Sequence, residues 1–303
     1  MRKFVAVIAA FSCLSAFAAP VSAQGWRVSS DQSVGGFKFP ESAAYDPKGK
    51  VLYVGNFGGE KLAPAEKDGQ GYISKVGLNG KVIEERWVPA KGGEAMNKPK
   101  GIWIQGDRLW VTDIDVVWVF DLKTRKGRKL ALPGVGFAND PAVMGNALYI
   151  SDNRNDKLVK VEPADFLNAK KDPEVIEVVA GRGLNPNGIY PSKTGMLYIG
   201  GFLAADKPKG LYLLGVSGQI KALSEPFGRI DGLYEMADGS LLYTNWDTAS
   251  LSHRTEAGIS TPLAAGFKGP ADFTVIPLGK DEMTVVVPDL PASQLRFIHL
   301  RRQ

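Results

Sequence analysis

Leu148-Tyr149-Ile150-Ser151-Asp152 is an apolar strand that ends in a small residue and an Asx residue, and the chain returns to this pattern along its length. Leu52-Tyr53-Val54-Gly55-Asn56, Leu109-Trp110-Val111-Thr112-Asp113 and Leu197-Tyr198-Ile199-Gly200-Gly201 are clear copies; Leu241-Leu242-Tyr243-Thr244-Asn245 and Val285-Val286-Val287-Pro288-Asp289 are looser ones. The first residues of successive copies lie 57, 39, 49, 44 and 44 positions apart. That spacing is close to the period of about 40 to 50 residues that marks propeller blades. Turn-forming stretches such as Asp46-Pro47-Lys48-Gly49, Gln105-Gly106-Asp107 and Ala237-Asp238-Gly239 precede the copies, each after another β-type run. Further strand-like runs follow them, for example Val117-Trp118-Val119-Phe120 and Leu211-Tyr212-Leu213-Leu214, so each unit supplies three or four strands. The expected fold is all-β, a six-bladed β-propeller of four-stranded antiparallel blades over residues 24–303. Only Pro163 to Ala169 carries a trace of helical period.

A ring of blades must close, because open first and last blades would expose sheet edges. Trp26-Arg27-Val28 is expected as an outer strand on the last blade, whose own final strand runs from Leu295 to Leu300. Glu60 to Gln70 is the longest insertion; it is polar, carries Gly, Pro and Lys, and reads as a surface loop and a lid over one face.

Composition agrees with a turn-rich globular chain: 44% hydrophobic and 23% charged residues with 35 Gly and 19 Pro exclude disorder and collagen. Met1-Arg2-Lys3, the apolar run from Phe4 to Phe17 and Val21-Ser22-Ala23 form a signal-peptide pattern, with cleavage expected between Ala23 and Gln24. The run falls short of the roughly 20 residues a spanning helix needs, and no later segment reaches that length. The expectation is a periplasmic or secreted protein with no membrane span after signal cleavage. Cys13, the single cysteine, lies in the signal, so the mature chain could form no disulfide. Removing residues 1–23 lowers the formal charge from +5 to +3, with 35 basic against 32 acidic residues. These charges are scattered, which argues against a nucleic-acid partner.

The start of a first strand and the end of a second lie at the same end of an antiparallel hairpin. One face of the disc is therefore expected to carry Glu41, Lys100, Asn139, Asn187, Asp231 and the segment Pro270-Ala271-Asp272 from strand starts. Asn56, Asp113, Asp152, Gly201, Asn245 and Asp289 come from strand ends. Glu41, Asn139, Asn187 and Asp231 offer two carboxylates and two amides, hard oxygen donors suited to Ca2+ or Mg2+. The strand-end set is read mainly as turn-satisfying Asx residues. Phe57, Phe202 and Trp246 follow strand ends and could wall a pocket, with Lys100 as a cationic contact; ordinary packing between blade loops is the competing reading.

Phe39-Pro40-Glu41-Ser42, Phe137-Ala138-Asn139-Asp140, Asn185-Pro186-Asn187-Gly188 followed by Leu197-Tyr198, and Ile230-Asp231-Gly232 resemble the strand starts of the senescence-marker-protein-30/gluconolactonase family. The resemblance covers nearly all of the mature chain as blade pattern, on motifs of two to four residues. It implies a lactonase-like propeller with one divalent cation, usually Ca2+, with Mg2+, Mn2+ or Zn2+ as other ions. The implied ligands are Glu41, Asn187 and Asp231, with Asn139 beside metal and substrate. Asp231 and Asn139 would be the catalytic pair: Asp231 would accept a proton from water, and Asn139 would orient substrate or water. Lactonases of that family often carry Arg two residues before this Asn, where the present chain has Phe137, implying a less polar pocket or one in which nothing reacts.

The chain lacks a Gly-x-Ser-x-Gly elbow, a phosphate-cradling loop and a dinucleotide fingerprint. His253 and His299 are the only histidines, and neither has a partner at zinc spacing. Asp152-Asn153-Arg154-Asn155-Asp156 fails as a calcium loop because Arg154 occupies its third position. Two readings follow. One is a metal-dependent hydrolase of a lactone or related ester. The other is a non-catalytic propeller that binds a small ligand or a protein partner around a structural metal. Fold alone does not choose between them.

Overall fold

Every quoted copy forms the second strand of a four-stranded antiparallel blade in the structure, a computed structural model that describes residues 25–303. The expected signal segment lies outside the described residues. β1 (Trp26–Val34) precedes the first blade, β2 (Pro40–Asp46), β3 (Val51–Asn56), β4 (Tyr72–Gly77) and β5 (Val82–Val88). The second blade is β6 (Pro99–Gln105), β7 (Arg108–Asp113), β8 (Val116–Asp121) and β9 (Gly127–Ala131). The third is β10 (Ala138–Met144), β11 (Ala147–Asp152), β12 (Lys157–Glu162) and β13 (Glu174–Ala180). The fourth is β14 (Pro186–Pro191), β15 (Leu197–Gly201), β16 (Leu211–Leu214) and β17 (Ile220–Ala222). The fifth is β18 (Ile230–Glu235), β19 (Leu241–Asn245), β20 (Ser250–Arg254) and β21 (Ser260–Ala265). The sixth combines β22 (Thr274–Pro277), β23 (Glu282–Asp289) and β24 (Gln294–Arg302) with β1.

The ring closes as expected: β1 pairs antiparallel with β24, Trp26 opposite Arg302 and Val34 opposite Leu295. This joins the two ends of the described chain in one sheet and covers the edge that β24 would otherwise expose. The blades bury both faces, which explains their nearly continuous apolar strands. Trp110, Val117 and Val119 of the second blade pack with Leu148, Ile150, Val159 and Val161 of the third in one cluster. First strands are the innermost: β2 neighbours β6 and β22, and β10 neighbours β6 and β14.

The described residues contain no α-helix, only a short 3-10 turn at Leu290–Ala292, and no helix long and apolar enough to cross a membrane. Pro163 to Ala169 is irregular. Part of its backbone is claimed by a neighbouring hairpin turn and a side chain: Ala164 N–H donates to Asn146 O (2.8 Å), and Trp110 Nε1 donates to Ala164 O (2.9 Å).

Candidate functional site

Cross-strand register places six residues in equivalent positions around the axis. Pro40, Pro99, Ala138, Pro186, Ile230 and Pro270 face the strand-end residues Asn56, Asp113, Asp152, Gly201, Asn245 and Asp289 respectively. The residue after each of these forms an inner ring: Glu41, Lys100, Asn139, Asn187 and Asp231 on the inner strands, and Ala271 on the segment leading into β22. The sixth blade thus contributes the apolar Ala271, while Asp272 lies one step deeper.

Neighbouring blades fasten the backbone of this ring. Ser42 Oγ donates to Lys100 O, Thr112 Oγ1 to Asn139 O, Ser151 Oγ to Asn187 O (2.5 Å) and Thr244 Oγ1 to Ala271 O (3.1 Å). Asp272 N–H donates to Glu41 O (3.1 Å). At the fourth blade the backbones meet directly: a Cβ on Gly188 would fall 1.6 Å from Asp231 O, so only glycine permits the approach. The hydroxyls were a signal missed in the sequence, since Thr112, Ser151 and Thr244 occupy the fourth position of the quoted pattern.

Glu41, Lys100, Asn139, Asn187 and Asp231 are buried and line one cavity of about 380 Å3. Phe57, Phe137, Phe202 and Trp246 line it too, so all nine residues singled out from the sequence meet there. Phe202 and Trp246 pack edge to face, with centroids 5.5 Å apart. Leu62 and Pro64, from the Glu60 to Gln70 insertion, also wall the cavity. The insertion is tied down by Lys98 Nζ to Asp68 Oδ2 (2.6 Å) and Lys67 Nζ to Asp115 Oδ2 (2.5 Å).

The polar floor is incompletely satisfied. Trp246 Nε1 donates to Asp231 Oδ2 (2.8 Å), while Asp231 Oδ1 has no partner. Asn139 Nδ2 donates to Asn187 Oδ1 (2.7 Å), while Asn139 Oδ1 has none, and Glu41 Oε2 is likewise buried and unpartnered. Buried polar atoms are overwhelmingly hydrogen-bonded in folded proteins. Three unpaired oxygens on one floor therefore mark a place for a cation, water or substrate donor. Among the described residues no three His, Cys, Asp or Glu side chains converge as a metal-holding group. A cation here would rest on two carboxylates and amide oxygen.

Electrostatics reinforce this. Burial, then the charges of Asp231 and Asp272, push Glu41 well above the usual carboxylate range. Burial raises Asp231 to about 7, against the Trp246 hydrogen bond. Asp140 and Asp272, each one residue beyond the inner ring, are raised by burial first and neighbouring carboxylates second. They line a second cavity of about 220 Å3 farther along the inner strands. Burial lowers the Lys100 ammonium to about 8, with Glu41 opposing the shift.

Sequence reasoning did not pick out Arg154, Arg229, Leu203 and Leu290, which also line the upper cavity. Three of the four follow or adjoin the end of a β-strand, so the same-end rule, carried past the last strand residue, reaches them. His253 and His299 stand on β20 and β24, the third strands of their blades and away from this cavity; His253 Nε2 contacts Ser240 Oγ at 2.9 Å.

No protein-family model matches the sequence, and no curated protein matches it. Solved structures do resemble it. Virginiamycin B lyase from Staphylococcus aureus superposes with a TM-score of 0.60 at 14% identity, over 91% of this chain and 99% of that one. A streptogramin B lyase gives 0.59 at 13% identity over 90% and 98%, and a provisionally assigned gluconolactonase gives 0.62 at 12% over 91% and 94%. One virginiamycin B lyase structure is of a catalytically inactive variant with a histidine replaced by alanine. These likenesses fit a propeller of the senescence-marker-protein-30/gluconolactonase type, and at such identities they concern the fold alone.

Proposed function

We propose that this propeller is a divalent-cation-dependent hydrolase of a lactone or related ester, related to the senescence-marker-protein-30/gluconolactonase family. The observation that carries the reading is the set of unpartnered buried oxygens, Glu41 Oε2, Asn139 Oδ1 and Asp231 Oδ1, on the floor of a cavity walled largely by aromatic side chains. Glu41, Asn187 and Asp231 would hold the cation, Ca2+ first among candidates because every donor is a hard oxygen. When bound, the cation supplies Lewis-acid polarisation of a carbonyl and a lowered pKa for water.

The chain's own groups supply the rest. Asp231 accepts the proton of the attacking water as the new C–O bond forms, and returns it to the ring oxygen as the ester bond breaks. Trp246 fixes that carboxylate by one oxygen and leaves the other facing the reaction. Asn139 Nδ2 holds the Asn187 oxygen in place, and Asn139 Oδ1 accepts from substrate or water. Phe57, Phe137, Phe202 and Trp246 exclude bulk water, which strengthens every polar contact on the floor. The lyase resemblance is less useful for chemistry, because a histidine matters to that enzyme and none lines this cavity among the described residues.

Calorimetric titration of Ca2+ into metal-stripped protein and Asp231→Ala, followed by a lactone panel, tests the reading. Binding by the parent alone, with chelator-sensitive turnover, is expected. No binding by either protein would overturn it in favour of a ligand-binding propeller.

A further inference from the structure

The cations around the cavity divide into two kinds. Arg229 Nε is paired with Asp247 Oδ1 at 2.7 Å, and Lys98 Nζ meets Asp68 Oδ2 at 2.6 Å and Phe57 O at 3.1 Å. Lys100 and Arg154 are not so satisfied. Lys100 is 1% exposed, and its Nζ has one hydrogen-bond acceptor, Lys98 O, at the long distance of 3.5 Å, with the Glu41 carboxyl acting on it from farther off. That nitrogen lies 4.2 Å from the centre of the Phe137 ring, and the Arg154 guanidinium lies 3.7 Å from the same ring. Among the described residues Arg154 has no ion pair. Asp152, two residues before it, is committed to the N–H groups of Gly136 (2.9 Å) and Phe137 (3.2 Å).

A buried ammonium without a close acceptor is costly unless a ligand brings one. Two like charges gathered on one aromatic ring repel each other, and the ring quadrupole offsets only part of that repulsion. Both side chains line the cavity, Lys100 deep within it and Arg154 exposed at its mouth. A carboxylate placed between them would satisfy both, with the fork geometry of Arg154 supplying two donors. Phe57, Phe202, Trp246 and Leu62 give the rest of the wall a large apolar area, edged by Asn153 and by the paired Arg229.

We propose that Lys100 and Arg154 form an anion subsite that takes the carboxylate of a substrate whose body is otherwise apolar. It rests on the hydrolase reading only in calling the ligand a substrate; the subsite itself needs neither metal nor turnover. The substrate class is then a lactone or ester bearing a carboxylate and a hydrocarbon or aromatic portion, with its ester end toward Asp231.

The test uses 3-phenylpropionate and its neutral amide, 3-phenylpropanamide, titrated calorimetrically into the full mature protein. Each titration is run Ca2+-loaded and after passage over chelating resin. The acid is expected to bind about tenfold more tightly than the amide in both states. That preference should fall to about twofold or less in Arg154→Gln, a change at the cavity mouth, and in Lys100→Met, with circular-dichroism melts establishing that both variants fold. Equal affinity for acid and amide, binding of neither, or a preference unchanged in both variants would overturn the subsite. So would a preference seen only with Ca2+ present, since the carboxylate would then sit on the ion. An acid preference without turnover of any lactone would uphold the subsite and remove the hydrolase reading. Lactone turnover without acid preference would do the reverse.

Discussion

Two rings of polar residues encircle the same face of this disc, and they look alike in the sequence but differ in how their atoms are used. The strand-end ring is spent on backbone. Asp113 accepts from Asn97 and Lys98 N–H, both at 2.7 Å, and Asp289 Oδ1 accepts from Lys268 and Gly269 N–H, both at 2.9 Å. Asp152 holds Gly136 and Phe137, and Asn56 holds Lys38 N–H at 3.2 Å, so four blades repeat one clamp on the chain entering the inner strand. The inner ring leaves Glu41 Oε2, Asn139 Oδ1 and Asp231 Oδ1 without partners. Burial is similar in both, so burial does not separate a structural carboxylate from a functional one. Whether its oxygens are already occupied does.

The largest expected difference is in activity. Asp231→Ala should lower lactone turnover by about a thousandfold or more while the protein stays folded, measured as initial rates beside a thermal melt. Turnover near the parent level would erase the distinction between the rings. Asp113→Ala should instead cost about 2 to 4 kcal/mol of stability in urea unfolding, because it strands two backbone donors in a buried site. An unchanged midpoint would show that the clamp is dispensable.

The contrast sharpens with pH. Asp231 carries a folded-state value of about 7 against an ordinary 3.8, so without metal the folded state binds more protons than the unfolded state between those values. Stability of metal-stripped protein should be fullest below about pH 4 in this contribution and fall as pH rises through 7. Asp231→Asn should flatten that fall and melt higher than the parent at pH 8; a lower melt there would contradict an uncompensated inner-ring charge. The smallest effect is expected at Asn245→Ala, about 1 kcal/mol in the same unfolding assay. Its Oδ1 accepts from Asp247 N–H in its own turn at 2.9 Å and does not grip an incoming inner strand. A loss as large as that of Asp113→Ala would mean that the clamp does not depend on which N–H is held.

Much of this architecture was legible because a propeller repeats short-range signals. Nearly continuous apolar strands, turn residues between them and a period near that of a blade follow from local geometry, and ring closure follows from the need to cover an edge. The same-end rule then carried Glu41, Lys100, Asn139, Asn187 and Asp231 to one face without any side-chain position being known. The irregular Pro163 to Ala169 segment escaped this reasoning because both backbone groups of Ala164 bond to Asn146 and Trp110, outside the local window in which a helical period is read.

Six blades, their closure by the amino-terminal strand and the face on which the polar residues gather were legible in the residues, since all three depend on period and strand direction. Packing in three dimensions settled which oxygens on that face are spent and which are free. It also set Trp246 against Asp231 and brought Arg154 and Lys100 to a single ring. Lys100 reaches the Phe137 ring from the neighbouring blade, while Trp246 and Arg154 are brought in by the turns that follow β19 and β11. Their distances depend on blade packing and on the paths of those turns, which no local period encodes.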